Sequence, residues 1–138
     1  MWSDQEIGFW KEYLQAHHGL DGELERLDGE FDLNIAVRVD GRLDAVLKVM
    51  RVGCGSGLVG MQVEALDHLA ATMPDLPVPR VIRRHDGVAA AAVTDLSGDE
   101  RIAWLISAID GLPLGAMRPH PAALVHEIGH TLGRMTVG

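Results

Sequence analysis

Ala45-Val46-Leu47-Lys48-Val49-Met50 is a run of strand-forming residues broken by one lysine, and its reading decides the fold. Side chains alternate across a strand, so Val46, Lys48 and Met50 share one face while Leu47, Val49 and Arg51 share the other. An ammonium held among apolar neighbours is costly unless an anion or a hydrogen-bonding partner meets it. Lys48 therefore either snorkels to water from an edge strand or faces a ligand over an apolar floor. The second arrangement suits a nucleotide, with its base on Val46 and its phosphates on Lys48.

The segments around this strand extend it into a sheet. Leu33 to Val39 alternates apolar and polar residues, and Asp40-Gly41 predicts a tight hairpin into the lysine strand. Gly22 to Leu27 reads as a short strand before it. The turn Asp28-Gly29-Glu30-Phe31-Asp32 then lies beside Lys48, either as a cradle of backbone amides for phosphate or as an ordinary acidic turn. Ser3 to His17 predicts an amphipathic helix, with Ser3 and Glu6 at capping-box spacing, Ile7, Trp10 and Leu14 on one side and Gly19 as its stop.

Beyond the glycine-rich Gly53 to Gly57, a second helix is expected from Leu58 to Met73, closed by Pro74, with Val59, Val63, Leu66, Leu69, Ala70 and Met73 as its apolar stripe. Gln62 falls inside that stripe and needs a polar partner, for which Lys48 is the nearest candidate; Glu64 points away. Pro77 to Ile82, Val88 to Val93 and Arg101 to Ile109 read as extended, and Pro121 opens a last helix. The expected architecture is α+β, an antiparallel sheet of about five strands with one packed helix and flanking terminal helices. Its parts are a helix over 1–19, sheet plus helix over 20–115 and a helix over 119–138.

With 138 residues, 47% hydrophobic and 23% charged, the chain is one domain's worth and able to form a core. A net charge of −8, with no Lys/Arg cluster longer than Arg83-Arg84, argues against nucleic acid as a partner. No apolar run reaches membrane-spanning length, and the acidic start is unlike a signal peptide, so a cytoplasmic protein is expected. Cys54 is the single cysteine; it can form no internal disulfide and reads as a small loop residue.

Two motif signals disagree. His126-Glu127-Ile128-Gly129-His130 is a complete H-E-x-x-H, in which two imidazoles one helical turn apart reach a common zinc and the glutamate acts as base. Where the longer metzincin pattern has its third histidine, this chain has Thr136. A zinc metallopeptidase using His126, Glu127 and His130 is the alternative reading.

The other signal runs through the whole chain. Leu27 to Asn34, Val46-Leu47-Lys48-Val49, Gln62 with Leu66 and Leu69, Leu76 to Val81, and Trp104-Leu105-Ile106 with Asp110 to Leu114 resemble, in order and spacing, the N-terminal lobe of the aminoglycoside phosphotransferase and choline kinase superfamily. The nearest branch is the hydroxylysine-kinase-like one, also found fused ahead of class III aminotransferases. The resemblance implies a protein-kinase-like lobe in which Lys48 holds the ATP phosphates, Val46 roofs the adenine, and Ser107, Ala108 and Ile109 offer backbone groups to the base edge. It also implies that Gly29 and Glu30 belong to the phosphate-covering turn. Gln62 stands at the family's helix glutamate, so the lysine's usual ion pair becomes a neutral hydrogen bond.

The family's catalytic and Mg-binding aspartates lie in a C-terminal lobe expected after Gly138. No catalytic residue is therefore expected in this chain, and ATP and Mg belong to the complete enzyme, which would phosphorylate a hydroxyl on a small metabolite. In that alignment Ile128, Leu132 and Met135 are buried helix positions, whereas Glu127 and the histidines are exposed. A lobe without its partner leaves apolar surface at Val46, Met50, Ile106, Ile109, Leu112 and Leu114 and along the last helix, so a homodimer is expected. A third reading is an interaction domain without chemistry.

Overall fold

The computed structural model describes residues 2–109, 111 and 114–138; Asp110, Leu112 and Pro113, which the sequence reading used, lie outside them. Among the described residues the fold is α+β, with six antiparallel strands and three α-helices. Helix α1, Asp4–His18, carries the expected capping box: Ser3 Oγ accepts from Glu6 N–H and Glu6 Oε2 accepts from Ser3 N–H. Gly19 ends it in the left-handed conformation, with φ of 61°, and returns its N–H to the Gln15 carbonyl. Trp10 and Leu14 are buried as expected, and Tyr13 joins them.

Strands β1, Glu23–Leu27, β2, Leu33–Val39, and β3, Arg42–Val49, form an antiparallel meander. Asp40 and Gly41 both have positive φ, 52° and 79°, which matches the twist of a two-residue hairpin turn. Strand β6, Glu100–Ser107, pairs with the far side of β3. Strands β4, Val81–Ile82, and β5, Ala90–Thr94, lie one after the other on the remaining edge of β6. The sheet is thus five strands wide at any level, and the sixth strand arises because residues 83–89 leave the edge and return. Gly87, at φ of 86°, turns this excursion, and His85 N–H bonds the His17 carbonyl at the end of α1.

The two faces of the sheet are covered differently. On one, Trp10, Tyr13 and Leu14 of α1 pack against Ile35, Val37, Ala45, Leu47, Val49, Ala103 and Leu105, all at most 7% exposed. On the other, helix α2, Ser56–Thr72, sets Val59 and Val63 on Met50 and Trp104. The register expected for α2 is the one found, since Val59, Val63 and Leu69 are buried and Glu64 is exposed. Met50, expected on open surface, is instead 3% exposed: just past β3 it tucks under α2, and Trp104 Nε1–H points at its sulfur.

Helix α3, Ala122–Val137, has no buried residue. It is held at its C-terminal end, where Arg134 grips both carboxylate oxygens of Asp75 at 2.9 Å and the Gly138 carbonyl meets His68 Nε2. Ile128, Leu132 and Met135, expected to be buried, are 36%, 56% and 37% exposed. Burial requires a facing surface, and no strand or helix among the described residues packs along that stripe. No helix of the described residues is long and apolar enough to cross a membrane.

Candidate functional site

The antiparallel register lines up residues across neighbouring strands on one face of the sheet. Asn34, Lys48, Trp104 and Ala90 form one such row, and Ala36, Val46, Ile106 and Val81 form the next. Helix α2 covers the Trp104, Ile106 and Val81 side of both rows. Lys48 and Val46 stand where that cover stops, and both are half-buried. The lysine therefore has apolar neighbours on its covered side and is itself only half-buried.

Its partner is not Gln62. Lys48 Nζ donates to Asn34 Oδ1 at 3.2 Å, and no carboxylate lies within ion-pair distance of it among the described residues. Gln62 sits half-buried on α2, and its side chain makes no hydrogen bond among those residues. A register shift brings Asn34 opposite the lysine. A hairpin counted outward from the Asp40-Gly41 turn pairs Val39 with Arg42 and Arg38 with Leu43, and continues to Leu33 opposite Lys48. Instead the register shifts between Val37 and Arg38, leaving Asp44 as an extra residue in β3, and Asn34 comes to face Lys48. The Asp44 carbonyl at this bulge accepts from Ala108 N–H at 3.2 Å.

The Asp28 to Asp32 turn closes over the same corner. A Cβ built on Gly29 would stand 2.6 Å from the Asp32 carbonyl oxygen and 2.8 Å from Asn34 Nδ2, so only glycine fits there. Asp32 Oδ1 accepts from Arg51 N–H at 2.8 Å, tying the turn to the chain just after β3. Arg101 fixes that exit from the other side, donating to the Met50 and Val49 carbonyls with Asp95 as its carboxylate partner at 3.3 Å. Glu30 and Phe31 at the tip of the turn are exposed.

Of the three residues expected to meet a base edge, two have their donors engaged. Ser107 N–H bonds the Arg80 carbonyl, Ser107 Oγ accepts from Arg80 N–H, and Ala108 N–H goes to Asp44. Ile109, 52% exposed, has no backbone bond among the described residues. It follows β6 on the Val46 side of the lysine.

Other concave surfaces lie elsewhere. An apolar groove of about 440 Å³ runs between Val59, Gly60 and Val63 of α2 and Ala90 and Ala92 of β5, and Lys48 does not line it. His126, Glu127 and His130 are exposed on α3. Among the described residues no three His, Cys, Asp or Glu side chains cluster as the ligands of a zinc or magnesium ion would.

Asn34 and Arg101 were given no site role by the sequence, although both lie in segments it read as extended. Asn34 carried a signal, as one of two polar residues with Arg38 in the strand, but without the bulge its cross-strand partner was unreadable. No protein-family model matches the chain, and no curated protein matches it.

Proposed function

We propose that this chain is the nucleotide-binding lobe of a small-molecule kinase, taking the adenine of ATP over Val46 and its phosphates on Lys48. The observation that carries the reading is a half-buried lysine on the third strand, held by a neutral amide, with apolar side chains beside it and a glycine turn above. Kinases place their phosphate-binding lysine on the third strand of the sheet, ahead of a helix packed behind it, and β3 followed by α2 supplies both. Lys48 provides a charge without a carboxylate competitor, Gly29 lets the turn backbone come close, and Ile109 leaves an N–H for the base edge. These residues bind and orient. The aspartate that positions a hydroxyl and the acids that ligate Mg²⁺ would come from a second lobe, and in the complete enzyme the reaction would be phosphorylation of a hydroxyl on a small metabolite.

Titration with ATP followed by amide NMR tests this. Shifts should concentrate at Val46, Lys48, Ile109 and residues 28–32, and Lys48→Met should weaken binding tenfold or more, about 1.4 kcal/mol. An unchanged spectrum at millimolar ATP would remove the reading.

One observation favours a second role beside it. Val125, Ile128, Leu132 and Met135 recur on α3 at alternating three- and four-residue steps, all exposed. We propose that a second copy of the chain covers this stripe. At 16 residues α3 is about 24 Å long. Two such helices alone bury less than the roughly 1,200 Å² of a stable interface, so the dimer would also use the half-covered face near Val46, Ile106 and Ile109 and would compete with ATP for it. Light scattering reads the outcome: a dimer that Leu132→Glu converts to monomer supports it, and a monomer at all concentrations up to hundreds of micromolar excludes it.

A further inference from the structure

We propose that Asn34 positions Lys48 and presents a second hydrogen-bond donor to the anion that Lys48 meets, an inference that rests on the nucleotide reading for the identity of that anion. An ammonium carries three donors and no acceptor, so the atom of Asn34 lying 3.2 Å from Lys48 Nζ is the carboxamide oxygen. The lysine thereby fixes the orientation of the amide. Its NH₂ is turned toward the Asp28 to Asp32 turn, against Gly29. That nitrogen donates to no acceptor among the described residues and is not one of the buried unpartnered atoms. Two donor groups, Lys48 Nζ and Asn34 Nδ2, thus stand side by side beneath a glycine turn.

The choice of an amide matters chemically. A carboxylate at this position would hold the ammonium more tightly, but it would cancel the charge and repel phosphate. An asparagine orients the same group and leaves its charge in place. Packing does not account for this residue, because asparagine is a poor strand former and β-branched residues fill a half-buried strand position better. The bulge at Asp44 serves the same end, since without it Leu33 would stand opposite Lys48.

Two variants of the full chain, Asn34→Asp and Asn34→Val, test the proposal with inorganic triphosphate and adenosine as separate probes and the rate of Lys48 acetylation as an independent readout. Asn34→Asp should weaken triphosphate binding tenfold or more, leave adenosine binding within twofold, and slow acetylation several-fold, because a carboxylate stabilises the unreactive ammonium. Asn34→Val should weaken triphosphate a few-fold and speed acetylation, because it removes the donor and frees the lysine.

Wild-type triphosphate affinity together with a wild-type acetylation rate in Asn34→Asp would overturn the proposal. If that variant does not fold, the same pair of results in Asn34→Val overturns it. If the unmodified chain binds neither probe, the nucleotide reading and the second-donor role fall together. The acetylation contrast then still decides whether Asn34 positions Lys48.

Discussion

The two faces of the sheet are built from alternate residues of the same strands, yet they serve different ends. Leu47 and Val49 point into the α1 side, where every core residue is at most 7% exposed and the covering helix is capped at both ends. Val46 and Lys48, one position away, point to a side that α2 covers only in part, from a helix without a side-chain cap. The first face closes over its core. The other keeps a cation and an apolar shelf within reach of solvent. A strand can serve both because its period of two separates them completely.

The largest effect that would break this contrast is a pair of truncations. Leu47→Ala, at a site with no exposure, should cost about 2–5 kcal/mol in urea unfolding, whereas Val46→Ala should cost less than about 1.5 kcal/mol. Equal costs would mean that the Lys48 face is as tightly packed as the other.

Ser3→Ala comes next, at about 1 kcal/mol. It should also alter the acid limb of the stability curve. Bonds from the Ser3 backbone and hydroxyl hold the Glu6 carboxyl below its ordinary value of 4.5. That contribution is complete above about pH 4.5 and is lost as pH falls through the depressed value, and Ser3→Ala should flatten this segment of a melting-temperature profile.

A smaller effect is expected near neutrality. Burial lowers the His18 imidazole below its ordinary 6.5, with the positive Arg84 and the neighbouring His17 and His85 adding to it. The unfolded chain then binds the proton more readily, so stability is full above pH 6.5 and declines as pH falls below it. His18→Gln should remove the part of the decline that begins there, and a profile identical to that of the wild type would place His18 in a more solvated setting.

The smallest effect belongs to Lys48→Met. Its hydrogen bond goes to a neutral, half-buried amide, and a methionine keeps the apolar stem, so the unfolding free energy should stay within about 0.5 kcal/mol of the wild type. A loss above about 2 kcal/mol would show that the lysine holds the fold together, which would weaken its assignment to a ligand.

Much of this division was legible in the sequence, because it rests on local chemistry. Ser3 with Glu6, the Asp40-Gly41 turn, the alternation around Lys48 and the 59, 63, 66, 69 stripe of α2 each use contacts within a few residues, and each is found as expected. What was not legible depends on distant pairing. The bulge at Asp44 has no glycine or proline to announce it, and it alone decides whether Asn34 or Leu33 faces the lysine. The apolar stripe of α3 was legible as a pattern, but periodicity describes which residues would be buried together, not whether a surface exists to bury them. Met50 shows the same limit, since its face was read correctly and its cover was not.

The cross-strand row through Lys48 also gives the protein an optical probe. The chain has three tryptophans, and Trp2 and Trp10 belong to the α1 side. Trp104 is the direct neighbour of Lys48 on β6, 2% exposed, with its indole N–H on the Met50 sulfur. The emission energy of an indole follows the electric field across its ring, and the Lys48 ammonium belongs to the residue directly opposite on the neighbouring strand. In a chain with Trp2→Phe and Trp10→Phe, the remaining fluorescence would come from one fluorophore seated beside the site, and its wavelength would register whatever neutralises Lys48, without any label added.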